Sequence, residues 1–213
     1  MKMKQRDGLF WPDLPDPELD KHLPRSLDTT AMNTMMKIIP ENRRRVAVQA
    51  GGSYGIWPRE LAKHFDHVYT FEPDTVSFHC LVANVPPNAV CINAGLSAKG
   101  GGRTFERKSF TGHRVVEQGM VPTFSIDHLQ LPYCDAIILD VEGYELAALR
   151  GAINTISDYK PIILYEEREE TLEFYGVTTA SITNFLFGLP GKYHLWRNIK
   201  HDNIMIPKNW KLP

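Results

Sequence analysis

A strand, a glycine-dense turn and a second strand ending in an acid constrain this chain more than anything else in it. Val46-Ala47-Val48-Gln49-Ala50 is an apolar, β-branched run that breaks into Gly51-Gly52-Ser53-Tyr54-Gly55, and a helix-like segment opens at Ile56-Trp57. His67-Val68-Tyr69-Thr70-Phe71 reads as the next strand; it ends in Glu72-Pro73-Asp74, with Glu72 twenty-one residues after Gly51. Strand, glycine turn, helix, strand and acid, in that order, form the nucleotide-holding half of a doubly wound α/β fold. Glycines let the backbone come close to a ligand, and a carboxylate at the second strand end is placed to accept hydrogen bonds from ribose hydroxyls. An adenosine-containing cofactor is the expectation.

The glycine order narrows the choice of cofactor. A dinucleotide site wants G-x-G-x-x-G, whose second glycine clears room for a pyrophosphate over a helix N-terminus. Ser53 stands where that glycine would be, which disfavours a dinucleotide. No lysine follows the turn, which excludes a phosphate-cradling P-loop. The looser Gly51-x-x-x-Gly55 spacing resembles the first motif of S-adenosylmethionine (SAM)-dependent methyltransferases, which seat a methionyl tail and a sulfonium. A glycine turn kept for packing alone is the bland alternative, and Glu72 argues against it.

With 213 residues, 43% of them hydrophobic, the chain has the material for one α/β core. A formal net charge of −1 gives no overall basic field to recruit nucleic acid or an anionic membrane surface. No apolar run approaches the roughly 20 residues that span a bilayer. The polar stretch Met1-Lys2-Met3-Lys4-Gln5-Arg6-Asp7 is followed by no signal-peptide core. The three cysteines, Cys80, Cys91 and Cys134, are odd in number and lack metal-ligand spacing, so they read as thiols of a reducing cytosol. The expectation is a cytoplasmic protein with no metal and with neither a nucleic-acid nor a membrane partner.

Along the chain the α/β alternation is readable. Residues 1–25 carry several prolines and read as an irregular arm; Asp28 or Thr29 then caps a helix over Thr30 to Ile39 that stops before Pro40. Strands are expected at about 45–50, 67–71 and 89–94, with helices at about 57–65 and 75–83. The triplet Gly100-Gly101-Gly102 breaks the rhythm and opens an insertion over about 100–118, read as short strands around turns at a sheet edge. Ala136-Ile137-Ile138-Leu139 is wholly apolar, as a central parallel strand should be. A helix at about 143–150 follows with Gly151 as its C-cap, then a strand at 161–165, a helix at about 178–187 and an antiparallel pair near 193–198 and 203–206. The fold class is α/β: a doubly wound, mostly parallel sheet with an antiparallel C-terminal strand pair.

Taken together, these pieces resemble the FkbM-type SAM-dependent methyltransferases from about Val46 to Pro207. Gly51 to Gly55 is similar to the family's first motif and Phe71-Glu72-Pro73 to its acidic strand end. Val121 to Leu129 resembles the segment leading into the fourth strand. Ile138-Leu139-Asp140-Val141-Glu142-Gly143-Tyr144-Glu145, running on to Gly151-Ala152, looks like the family's "lysine-x-Asp-x-Glu-Gly…Glu…Leu…Gly-Ala" signature, and Pro161 to Glu167 follows at the expected distance. The resemblance implies residues 46–213 as a methyltransferase domain, residues 1–45 as an arm and helix packed on it, SAM as cofactor, and O-methylation of a sugar or small-molecule hydroxyl. Two positions depart from the pattern. Gln49 stands where the family has an acid, which predicts weaker cofactor affinity or a compensating carboxylate elsewhere; Ile138 stands where a lysine is common.

Methyl transfer from a sulfonium is an in-line displacement whose leaving group the cofactor carries, so the protein must position a nucleophile and supply a base. Acids at the carboxyl ends of parallel strands face the ligand crevice. Asp140, Glu142, Glu166 and Glu167 are therefore the first candidates, with Asp140 foremost and helix capping the alternative for Glu142. His113-Arg114, in the insertion, offers a base and an anion clamp, or an exposed polar hairpin. On the cofactor side stand Gln49, Gly51, Gly52, Ser53, Tyr54 and Gly55, then Glu72 and Pro73 at the ribose and Asp140-Val141 near the reactive end. Asn93-Ala94-Gly95-Leu96 ends the third strand, where this fold touches adenine. Tyr54 and Trp57 either wall the site or pack. Two other function classes stay open: a catalytically silent SAM-binding module, suggested by Gln49 and Ile138, and an NAD-dependent oxidoreductase. Nucleic-acid methylation has only Arg103, Arg107, Lys108 and Arg114 in its favour. Residues 1–45 read equally as lid, dimer arm or plain packing, so a homo-oligomer stays open.

Overall fold

A computed structural model describes residues 2–13, 28–107 and 113–212 of the chain. Its centre is a seven-stranded sheet in the order β11-β12-β10-β9-β3-β4-β5. The parallel strands are β3 (Val46–Ala50), β4 (His67–Phe71), β5 (Ala89–Ile92), β9 (Ala136–Leu139) and β10 (Ile162–Glu166). Both β3 and β9 are buried along their whole length, which is why β9 reads as an unbroken apolar run and β3 as one interrupted only by Gln49. The last two strands, β11 (His194–Ile199) and β12 (Asp202–Ile206), are antiparallel, β12 pairing with β10.

Side-chain alternation divides the core between two faces. Val48, Ala50, Ile137, Leu139, Ile163 and Tyr165 point to one face. It is covered by the helices α4 (Glu145–Arg150), α5 (Ile153–Tyr159), α6 (Glu169–Phe174) and α7 (Thr179–Gly188). Ala47, Ile138, Ile162, Leu164 and Ile204 point to the other, which is covered by Met32, Met35 and Met36 of α1 (Thr30–Met36) and Leu61 of α2 (Ile56–Leu61). Ile138 is thus a core residue against the α1 face and is fully buried.

Three elements depart from the reading of the sequence. Residues 3–6 and 9–12, read as irregular, pair as an antiparallel hairpin of β1 (Met3–Arg6) and β2 (Leu9–Pro12), turned by Asp7 and Gly8 at positive φ. Residues 14–25, the rest of the expected arm, lie outside the described residues. The insertion does form a hairpin, from β7 (Gly101–Arg107) and β8 (His113–Phe124), but not on the main sheet. It pairs with β6 (Gly95–Leu96) in a separate three-stranded sheet, because β8 continues through the segment expected only to lead into β9. The helices α5 and α6 were absent from the sequence reading; each is a short segment of 7 and 6 residues, too brief for a clear periodic stripe. Among the described residues no helix is long and apolar enough to cross a membrane.

Candidate active site

The carboxyl ends of β3, β4, β9 and β10 open into a crevice of two lobes that share Gly51, Glu72, Asp140 and Glu142. The first is narrow and largely apolar, walled by Ala50, Phe71, Pro73, Gly95, Leu96, Val115, Val141 and Tyr144. The second, about 230 Å³, lies between the glycine turn and β10 and is lined by Gln49, Gly52, Ser53, Ile56, Trp57, Glu166 and Arg168.

The glycine turn is gripped from three sides. Gly51 and Gly52 both donate backbone N–H to Phe71 O, at 3.1 and 2.9 Å. Gln49 reaches forward from the strand: its Nε2 donates to Ala50 O and Gly51 O at 3.0 and 2.9 Å, and its Oε1 accepts from Thr70 Oγ1 at 2.5 Å. Glu72 accepts from Ser53 N at 2.7 Å and from Asp74 N at 2.8 Å, fixing its carboxylate on the rim both lobes share. Gly51 adopts φ +81, and a Cβ there would lie 1.9 Å from Asp140 O, so the turn after β3 rests directly on the turn after β9.

That second turn carries the acids. Asp140 donates its N–H to Ala50 O at 3.1 Å, and its half-buried side chain faces both lobes. Burial, then the carboxylates Glu166, Glu142, Glu145 and Asp202, holds its pKa well above the usual carboxylate range. Glu142 sits at φ 56 and Gly143 at φ 96, and the α4 N-cap is Tyr144, so Glu142 lines the crevice and does not cap the helix. Glu145 holds this turn instead. Fully buried, it accepts from Val141 N at 2.9 Å and Gly143 N at 3.3 Å through Oε1, and burial lifts its pKa to about 7. Its Oε2 has no hydrogen-bond partner among the described residues. Across the lobe, Glu166 accepts from Arg168 Nε at 2.7 Å.

The residues singled out from the sequence thus divide. Gln49, Gly51, Gly52, Ser53, Glu72, Pro73, Gly95, Leu96, Asp140, Val141, Glu142 and Glu166 converge on the crevice. Tyr54 is buried against Trp11, and Gly55, at φ 88, is the N-cap of α2. Asn93 Nδ2 donates to Glu72 O and Pro73 O at 2.8 and 3.2 Å, bracing the acidic turn, and Ala94 is buried in the core. Glu167 lies outside both lobes, its Oε2 buried beside Tyr165 and Asn203. His113 begins β8, and its side chain lies outside the described residues. Arg168 and Glu145 were not singled out; the first stands two residues beyond the strand-ending Glu166, the second closes the Asp140-x-Glu142-Gly143 motif. Among the described residues, no group of His, Cys, Asp and Glu is arranged to hold a metal ion.

The Methyltransferase FkbM domain matches residues 57–194, well over half of the chain. The chain belongs to the FkbM methyltransferase family. Residues 46–55, with β3 and the glycine turn, precede the matched region. A curated relative, the hexuronic acid methyltransferase AglP of Haloferax volcanii, is 29% identical over 110 residues, covering 46% of this chain and 46% of that protein. The FkbM chain therefore spans under half the length of the curated relative it matches. In fold it is similar to a methyltransferase FkbM from Methylobacillus flagellatus KT, with a TM-score of 0.56 and 18% identity over 76% of this chain and 43% of that one. A putative O-methyltransferase from Klebsiella pneumoniae superposes with a TM-score of 0.55 and 11% identity, covering 92% of this chain and 91% of that one.

Proposed function

We propose that this FkbM protein transfers a methyl group from SAM to a hydroxyl of a sugar or another small polyol. The observation that carries the cofactor is the chemistry of the two-lobed crevice. Phe71, Leu96, Val115 and Val141 offer an apolar slot for an adenine, and the Glu72 carboxylate stands at the rim both lobes share, where an acceptor suits ribose hydroxyls. Asp140, Glu142 and Glu166 line the second lobe. Carboxylates there suit a positively charged sulfonium and ammonium and oppose the pyrophosphate of a dinucleotide. A hexuronic acid methyltransferase among the relatives supports a sugar as acceptor.

SAM, when bound, supplies an activated methyl and its own leaving group. The protein's part is to bind, orient and manage one proton. Burial and the neighbouring carboxylates favour the protonated form of Asp140, and a further positive charge entering the second lobe favours its ionised form. Ionised, it accepts a hydrogen bond from the acceptor hydroxyl, aims the oxygen and takes its proton as the new bond forms. Glu166, held by Arg168, and Glu142 flank the same lobe and accept from further hydroxyls. Trp57 gives that lobe an apolar wall for the C–H face of a sugar ring.

Calorimetric titration with SAM, S-adenosylhomocysteine (SAH) and NAD in parallel tests this reading. SAM and SAH should bind and NAD should not, and Glu72→Ala should weaken SAM by about 1–3 kcal/mol. Binding of NAD alone would sink the methyltransferase reading. Binding of SAM and SAH with no methylated product from any sugar, polyol or phenol would leave a silent binding module.

A further inference from the structure

We propose that the N-terminal hairpin β1–β2 braces the cofactor turn, so that affinity in the crevice depends on side chains that never touch the ligand; the inference rests on the cofactor reading above. The hairpin packs on α3 (Thr75–Asn84). Trp11, only 2% exposed, sets its ring against Tyr54 with centroids 5.2 Å apart, and Leu9 and Cys80 complete an apolar cluster separate from both faces of the sheet. Tyr54 belongs to the glycine turn yet lines neither lobe.

Asn84, the last residue of α3, ties the same two segments together. Its Nδ2 donates to Phe10 O and to Tyr54 O, both at 2.8 Å, while its Oδ1 accepts from Phe10 N at 2.6 Å. Arg59 of α2 adds a bond from Nη1 to Gly8 O at 3.0 Å. The hairpin therefore holds both the turn and the helix that the turn opens. Tyr54 follows directly on Ser53, whose N–H is bonded to Glu72 at the rim of both lobes. A backbone shift at Tyr54 thus displaces Ser53 and loosens the Glu72 carboxylate. The hairpin precedes the region matched by the family, residues 57–194. Trp11 and Asn84 are positioning residues, acting through Tyr54 and Ser53.

The test is SAH affinity of Trp11→Ala and Asn84→Ala in the full chain. Ile204→Ala serves as a control, destabilising the α1 face of the sheet far from the hairpin. The two hairpin variants should bind SAH about tenfold more weakly, Trp11→Phe should recover most of the loss, and the control should bind as the unaltered chain does. Coupling is reciprocal, so saturating SAH should slow hydrogen exchange at the Phe10 amide of the unaltered protein by a similar factor. That measurement needs no variant to fold; it is read where the hairpin opens without the core, the Phe10 factor staying near tenfold while core amides, which exchange through global unfolding, slow in proportion to SAH concentration. Hairpin variants with unaltered affinity, or a Phe10 amide indifferent to SAH, overturn the brace. Failure of the unaltered chain to bind SAH overturns the cofactor reading, and the brace with it.

Discussion

Two strand-to-helix turns meet at the crevice, Gly51 to Gly55 after β3 and Asp140 to Tyr144 after β9, and their backbones have much in common. Each strings together positive φ angles: 81, 45 and 88 at Gly51, Ser53 and Gly55, and 56 and 96 at Glu142 and Gly143. Each is closed by one buried side chain that bonds two backbone groups of its own turn, but the chemistry is opposite. Gln49 closes the first by donating to two carbonyls, through an amide that does not titrate. Glu145 closes the second by accepting from two N–H groups, through a carboxyl that burial lifts to about 7. The first turn keeps one geometry across the working pH range. The second, which carries Asp140 and Glu142, changes charge within it.

The largest effect should come from breaking the wall the two turns share. Gly51→Ala puts a Cβ 1.9 Å from Asp140 O at a φ of +81, and no side-chain rotation relieves a clash with backbone. We expect a loss above about 3 kcal/mol, a large fraction of a typical domain's stability. Urea denaturation measures it, and a variant as stable as the unaltered chain would mean that the turns do not touch.

The next effect concerns pH. Because Glu145 binds its proton more tightly folded than unfolded, its contribution favours the fold at low pH and is lost as pH rises from about 4.5 to about 7. The full swing is about 3 kcal/mol. Asp202, lifted to about 6, and Asp140 act in the same direction, so the difference between the unaltered chain and Glu145→Gln cancels Asp202 and reads Glu145 together with its repulsion of Asp140. The amide keeps an acceptor for Val141 and Gly143. Denaturation at pH 5 and pH 8 should therefore show the unaltered chain losing stability relative to the variant. A gap constant with pH would show that Glu145 does not titrate in this window.

The same contrast explains what the sequence made legible. Strand β4 and strand β9 were read with their observed limits, because an apolar β-branched run between polar punctuation leaves little choice. The glycine turn and Glu72 were legible because a turn at positive φ calls for glycine and a strand-end acid stands out by residue type. Side-chain direction was not. Tyr54 and Asn93 lie among crevice residues in sequence yet turn to Trp11 and to the Glu72–Pro73 backbone, since neighbours in a turn point to different sides. The hairpin that receives Tyr54 was hidden by polar, lysine-bearing β1 and by the distance in sequence of β2 from its partner on α3, Phe10 bonding to Asn84 74 residues away. Glu145 was quoted as part of a motif without a role, because only burial distinguishes it from the exposed acids that begin many helices.

Gln49 offers the sharpest version of the comparison. From sequence, an amide in place of an acid foretells weaker hold on the cofactor's ammonium, so Gln49→Glu ought to strengthen binding. The geometry argues the reverse. A carboxylate at that position would face Ala50 O and Gly51 O at the 3.0 and 2.9 Å now bridged by Nε2 donation, leaving acceptors opposed to acceptors. In the buried site the new carboxyl should keep a proton to preserve one of those bonds, so its folded pKa rises and stability is lost as pH climbs through it. We expect Gln49→Glu to cost about 1–2 kcal/mol at pH 8, less at pH 5, and to leave SAM no more tightly bound. The substitution would give the first turn the pH response that Glu145→Gln removes from the second. Tighter SAM binding by Gln49→Glu, measured by calorimetry, would show that this side chain reaches the ligand and is not the lock on the turn.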